Sequence, residues 1–230
     1  MAGSFASLII AGFAFHGSHV LVSSTRLRGN LREQLGERGY LVLYSLVALA
    51  TFAWFVVAYA QAPTLPLWGF ARWRAFVPII VMPIATTFLI AGYTVPNPTA
   101  VGMERAAASD DPAPGILRIT RHPILWAIGL WAAAHLVANG DVASAIFFGS
   151  LLLLALGGTL LIDRKKRLAL GSNWARLAQV TSNVPFVAIL AGRSKLRLYE
   201  IGALRIVAGL LLYAVLFLAH PFITGRAVVF

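Results

Sequence analysis

The chain has 230 residues, of which 59% are hydrophobic and only 12% charged, with a formal net charge of +11 and no cysteine. So few charges cannot coat a soluble domain of this length, and the lack of cysteine excludes disulfides, Cys-bound zinc, iron–sulfur clusters and thiolate-ligated haem. The charges gather between long neutral windows, so the basic excess reads as a membrane-flanking surface; no nucleic-acid-binding motif accompanies it.

A membrane-spanning helix needs about 20 mostly apolar residues to cross about 30 Å of hydrocarbon. Six neutral windows satisfy this and predict an all-α, polytopic transmembrane bundle with helix cores at 4–23, 40–60, 76–94, 121–138, 142–162 and 205–222. The first window has no basic residue ahead of it, so it reads as a membrane helix and not a cleavable signal. Arg26 to Tyr40 reads as a short amphipathic helix on the membrane surface. In the third window Thr86 and Thr87 are expected to satisfy backbone carbonyls. Pro96, Pro98, Pro112 and Pro114 keep the following loop irregular. Asn139-Gly140-Asp141 is a tight turn between spans four and five. Gly157 and Gly158 suggest close helix packing. Arg164-Lys165-Lys166-Arg167 reads as a stop-transfer signal and lipid anchor. A seventh neutral window, Leu177–Gly192, is short and interrupted by Thr181, Ser182, Asn183 and Pro185, and is expected at the interface or as a brief re-entry. The six tryptophans read as interface anchors or packing. No internal repeat is visible, and residues 1–230 read as one integral membrane domain.

Orientation follows from the basic residues. With six spans, sixteen of the nineteen Lys and Arg fall in the 1–2, 3–4 and 5–6 loops, and only Arg72, Arg74 and Arg226 on the other side. This predicts cytoplasmic basic loops and both termini in the periplasm, as for a multi-pass protein of a bacterial inner membrane.

The histidines, His16, His19, His122, His135 and His220, all lie in or at the edge of a predicted span. Ionisable groups there are costly and usually face a partner. Without cysteine, imidazole is the natural ligand for a metal or haem, although a neutral histidine also serves simply to hydrogen-bond a neighbouring helix. His16 and His19 share a helix face. On straight, upright helices His19 and His135 differ by roughly 15 Å in depth, so depth alone pairs His19 with His122 and His135 with His220.

Several strings occur in order: His19 with Ser23-Ser24 and Leu27-Arg28; Leu35-Gly36-Glu37-Arg38-Gly39-Tyr40; Gly115-Ile116-Leu117-Arg118-Ile119-Thr120-Arg121-His122-Pro123; Trp131 with Ala134-His135-Leu136; Thr181-Ser182 with Pro185-Phe186; and Ala219-His220-Pro221. Together they resemble the NnrU family of membrane proteins and its plant relatives, the 15-cis-zeta-carotene isomerases, over most of the chain. The resemblance implies a link to nitric oxide and nitrite metabolism in denitrification. Through the plant relatives it implies a haem b whose iron acts on a carotenoid double bond. The axial histidines of those enzymes fall on His19 and His135, which become the implied metal ligands, with His122 as substitute. Arg28, Arg118 or Arg121 would pair with a haem propionate. The plant enzymes carry a cysteine three residues before the second histidine; Ala132 stands there in this chain, so no ligand switch of that kind is implied. The implied partners are the lipid bilayer and a hydrophobic small molecule or nitric oxide.

Gly115 to Pro123 also resembles the cofactor end of isoprenylcysteine-type membrane methyltransferases, in which an Arg-His-Pro helix start and a later glutamate pair hold S-adenosylmethionine. Here the later run is Asp163-Arg164-Lys165-Lys166-Arg167-Leu168, without the glutamate pair. A third reading is a non-catalytic accessory protein that assembles or supplies a partner.

Overall fold

The structure is a computed structural model that describes residues 3–22, 26–69 and 71–225. Ser23, Ser24 and Arg226 lie outside the described residues. Helices α1 (Phe5–Gly17), α2 (Arg26–Gln61), α3 (Arg72–Thr94), α4 (Pro123–Asn139), α5 (Val142–Leu170), α6 (Ser172–Val180), α7 (Val187–Leu190), α8 (Leu198–Ile201) and α9 (Ala203–Thr224) follow in chain order. A π-helical turn, Ser18–Val22, continues α1. Among the described residues there is no strand, only an isolated bridge between Pro66 and Asp141.

Four helices are long and apolar enough to cross a membrane: Leu27–Gln61, Arg72–Thr94, Val142–Leu170 and Ala203–Thr224. The first and fourth expected spans are shorter apolar helices, Phe5–Val20 and Pro123–Asn139. The long helices leave large apolar side chains outside, such as Leu204 at 81% and Phe222 at 90% exposure. A surface of this kind is stable against lipid and not against water. The expected surface helix before Tyr40 is present, but it runs into the second span as one element, α2, broken at Gly36 (φ 71°, ψ 171°). Only glycine reaches that conformation without strain.

The chain divides into two compact units. Unit one comprises residues 1–70 and 139–150. Its core joins Leu8, Phe15 and Phe55, with Phe147 from the start of α5. Gly12 lets α1 approach the Phe55 ring. The 139–141 turn forms as expected, with Gly140 at φ 66°. Asp141 then caps α5, accepting from the Ser144 N–H at 3.0 Å and the Ser144 hydroxyl at 2.6 Å.

Unit two comprises residues 71–138 and 151–230. Its core is Phe88, Ala91, Ile116, Leu117, Ala127, Trp174, Leu177 and Ile201, with others around them. Helices α3 and α9 pack tightly, and the contact is made by Gly209: a Cβ there would lie 2.6 Å from Thr87 Cα. The expected packing pair behaves differently. Gly157 has nothing within 4 Å of a would-be Cβ, and Gly158 meets only Leu125, at 3.6 Å. Uniformly apolar helices show no preferred face in sequence, so a glycine pair does not reveal which side meets a neighbour. Thr86 and Thr87 do donate to backbone carbonyls, those of Met82 and Pro83.

Candidate functional site

The seventh neutral window positions the polar centre of unit two. It leaves α6 at Val180, turns through 181–186 and resumes as α7. Phe186 takes φ 68°, which bends the segment back on itself. Its backbone pairs with the segment before α4: Arg121 N–H donates to Ser182 O at 3.0 Å and Phe186 N–H to Ile119 O at 2.9 Å. The Thr120 hydroxyl and Trp126 Nε1 both donate to Asn183 O. Thr181 and Thr120 are fully buried.

This pairing sets Arg121 and His122 against Asp163 of α5. Arg121 Nε donates to Oδ1 at 2.9 Å and its terminal nitrogen to Oδ2 at 2.5 Å. His122 Nε2 lies 2.6 Å from Oδ1, and Asn183 Nδ2 donates to Oδ2 at 3.2 Å. Both carboxylate oxygens are thus engaged within the chain, a bidentate arginine contact included. The Arg121 guanidinium also lies 5.2 Å over the Trp174 ring. Arg121 O accepts from Thr99 Oγ1 and Asn97 Nδ2, so the 97–99 loop is tied to the same point.

A second cluster holds Arg118. Its Nε donates to Glu200 Oε2 at 2.6 Å, and its terminal nitrogen reaches Asp111 Oδ2 at 2.6 Å. The Arg118 contact, with donors from Arg197 and the Gly115 N–H, holds the Glu200 carboxyl at about 2. Lys166, within the basic run, turns onto Glu104 Oε1 and Ala100 O. That lysine therefore ties the loop after α3 to α5.

The histidines fall into three groups. His19, in the π-turn of unit one, has Nδ1 3.0 Å from Phe15 O, and its ring lies 4.3 Å from Phe15 and 5.8 Å from Tyr44. His135, on α4 in unit two, has Nδ1 2.8 Å from Trp131 O, its ring 5.5 Å from Trp131. A carbonyl only accepts, so in each case Nδ1 carries a proton. His16 differs: Nδ1 meets Gly12 O at 2.7 Å and Nε2 meets Ser150 O at 2.9 Å. His122 presents Nε2 to Asp163, and His220 has Nδ1 3.3 Å from Thr224 Oγ1. Among the described residues no group of three His, Cys, Asp or Glu side chains could hold a metal ion.

Arg28 sits differently from Arg118 and Arg121. Its guanidinium lies 5.9 Å over the Tyr40 ring, and Nε is buried with no hydrogen-bond partner among the described residues. Of the expected site residues, unit two brings together Arg121 and His122, with Arg118 in a neighbouring cluster, while unit one links Arg28 with His19 through Tyr40 and Tyr44.

The family of NnrU protein matches residues 7–228 of the chain. The chain belongs to the NnrU family. It is also 32% identical over 104 residues to 15-cis-zeta-carotene isomerase, chloroplastic, of Arabidopsis thaliana. That match takes in 43% of this chain and spans only 28% of the plant protein's length. No solved structure matches. With apolar helices of membrane-crossing length and this family membership, the protein is an NnrU membrane protein.

The acidic partners Asp163, Glu200 and Asp111 were not among the expected site residues. Asp163 carried a sequence signal: an acid at the end of a long apolar run is costly there unless paired.

Proposed function

We propose that this NnrU protein binds haem b through His19 and His135 and serves a redox, nitric-oxide-related or carotenoid-isomerase-like role. The observation that carries the reading is the shared setting of these two side chains. Each holds its Nδ1–H on the carbonyl four residues back, which fixes the orientation of the ring. Metal-binding histidines are oriented in this way. His19 and His135 would suffice to hold a b-type haem, which does not call for the three-residue clusters of a bare metal site. Bound haem iron would supply one-electron chemistry and a Lewis-acidic centre. Phe15, Tyr44 and Trp131 give the two histidines aromatic ring neighbours.

The test is the absorption spectrum of the detergent-purified protein, oxidised and reduced. Wild type is expected to show a Soret band and sharp reduced α and β bands, lost or shifted in His19→Ala and in His135→Ala and retained in His16→Ala. A wild type without a porphyrin band, even after haem reconstitution, would sink the reading and leave an accessory role in assembling or supplying a partner. The methyltransferase-like reading gains nothing from the geometry, because the Asp163 carboxylate is engaged by Arg121, His122 and Asn183.

The proposed topology has six spans, the two shorter apolar helices included, in a bacterial inner membrane with both termini in the periplasm. The chain has no cysteine, so single introduced cysteines report cleanly. In intact cells a membrane-impermeant maleimide is expected to label Ser4→Cys, Thr64→Cys and Asn139→Cys. Gln34→Cys and Asp110→Cys should react only after permeabilisation. Equal labelling of Ser4→Cys and Gln34→Cys would mean that α1 does not cross.

A further inference from the structure

Arginine keeps its charge in any protein environment, and its N–H groups are all donors. A buried guanidinium nitrogen therefore calls for an acceptor, and an orphaned one points to a group outside the chain. Three arginines are candidates to meet an anionic ligand edge. Arg118 is held by Glu200 and Asp111, and Arg121 by Asp163. Arg28 is the exception: its Nε is buried without a partner among the described residues.

The acids of unit one do not answer that donor. Glu37 is bridged to Arg32, Asp141 caps α5, and Glu33 is exposed. The surroundings are aromatic instead. The guanidinium lies over Tyr40, which is buried at 4% exposure; Tyr40 stacks on Tyr44 at 6.1 Å and 21°, and Tyr44 meets the His19 ring edge-on at 5.8 Å. A row of rings thus leads from a cation with an unmet donor to the His19 imidazole. That arrangement suits a flat, apolar ligand with an oxyanion at its edge.

We infer that Arg28 receives an oxyanion of the ligand bound beside His19, a carboxylate in the case of a porphyrin. This rests on the haem reading above and names the side chain that would recognise the propionate edge. A lipid phosphate offers the same oxyanion chemistry, and the experiment separates the two sources.

The 230-residue protein is titrated with haem b and with haem b dimethyl ester, whose propionates are capped, as wild type, Arg28→Gln and Arg28→Lys. Wild type should bind haem on the order of tenfold more tightly than the ester. Arg28→Gln should bind both equally, and Arg28→Lys should recover part of the preference by charge alone. A wild type that does not distinguish haem from its ester, or an Arg28→Gln protein that still does, overturns the inference for porphyrin. Should Arg28→Gln fail to fold, Arg28→Lys decides: a preference undiminished from wild type overturns the role of the Nε donor. If wild type takes up neither compound, the haem reading falls on its own. Melting temperatures in nanodiscs of dioleoylphosphatidylglycerol and of dioleoylphosphatidylcholine then decide. A gain in the anionic lipid that Arg28→Gln loses keeps the oxyanion role with a lipid source, and no difference removes it.

Discussion

Replacing Asp163 by alanine is expected to destabilise unit two by about 3–5 kcal/mol, the usual cost of removing one partner from a buried ion pair. The reason lies in what remains. Arg121 keeps its charge with only 12% of its side chain exposed, and His122, 1% exposed, loses the acceptor at its Nε2. Asn183 loses its acceptor as well. Arg121 O also anchors Asn97 and Thr99, so the loop after α3 should loosen together with the segment before α4. Thermal melts in detergent measure the loss. Limited trypsin digestion should show earlier cleavage after Arg118 and Arg121. Arg121→Gln added to Asp163→Asn should recover part of the stability, because no cation is then left without a counter-charge. An Asp163→Ala protein with wild-type melting and digestion would show the knot to be dispensable.

Gly209→Leu is expected to separate α3 from α9. Even a Cβ at this position would lie 2.6 Å from Thr87 Cα and 2.9 Å from Thr87 N. Backbone cannot step aside as a flexible side chain can. Overpacking of this kind costs about 1–3 kcal/mol in a well-packed core, and between lipid-exposed helices, where close packing is the main attraction, it acts on the whole contact. Gly157→Leu is the companion, since nothing lies within 4 Å of its would-be Cβ. A lower melting temperature in Gly209→Leu with little change in Gly157→Leu is the expected pattern. The reverse order would place the tight helix contact at the glycine pair instead.

The positions of the apolar helices were legible because lipid imposes a length and a composition, and both can be read without knowing any partner. All six windows hold a helix, four of them of membrane-crossing length. Which faces meet was not legible. Helices apolar all round give no moment, so Gly157-Gly158 drew attention while Gly209 makes the contact. The candidate residues Arg118, Arg121 and His122 were found through their motif, but their partners stand 82, 42 and 41 residues away and no local spacing connects them. The broken window around Thr181 is expected from sequence at the membrane interface or as a brief re-entry. Its polar groups, which made it look unfit for the interior, are satisfied inside unit two: the Ser182 and Asn183 carbonyls accept from Arg121, Thr120 and Trp126, the Thr181 hydroxyl donates to Leu177 O, and the Ser182 hydroxyl accepts from the Ala188 N–H.

The π-helical turn at Ser18–Val22 holds more residues per turn than the α1 helix it continues. It behaves as a stored residue in the winding of the chain. Removing one residue there would let the α-helix run on and would swing everything beyond the turn by about 100° relative to α1. His16 would keep its place opposite Ser150, while His19 would leave the Tyr44 ring. The two histidines, three positions apart, are thus set in different surroundings by a surplus of one residue, and a natural relative shortened at this point would keep the helix and lose the contact of His19 with Tyr44.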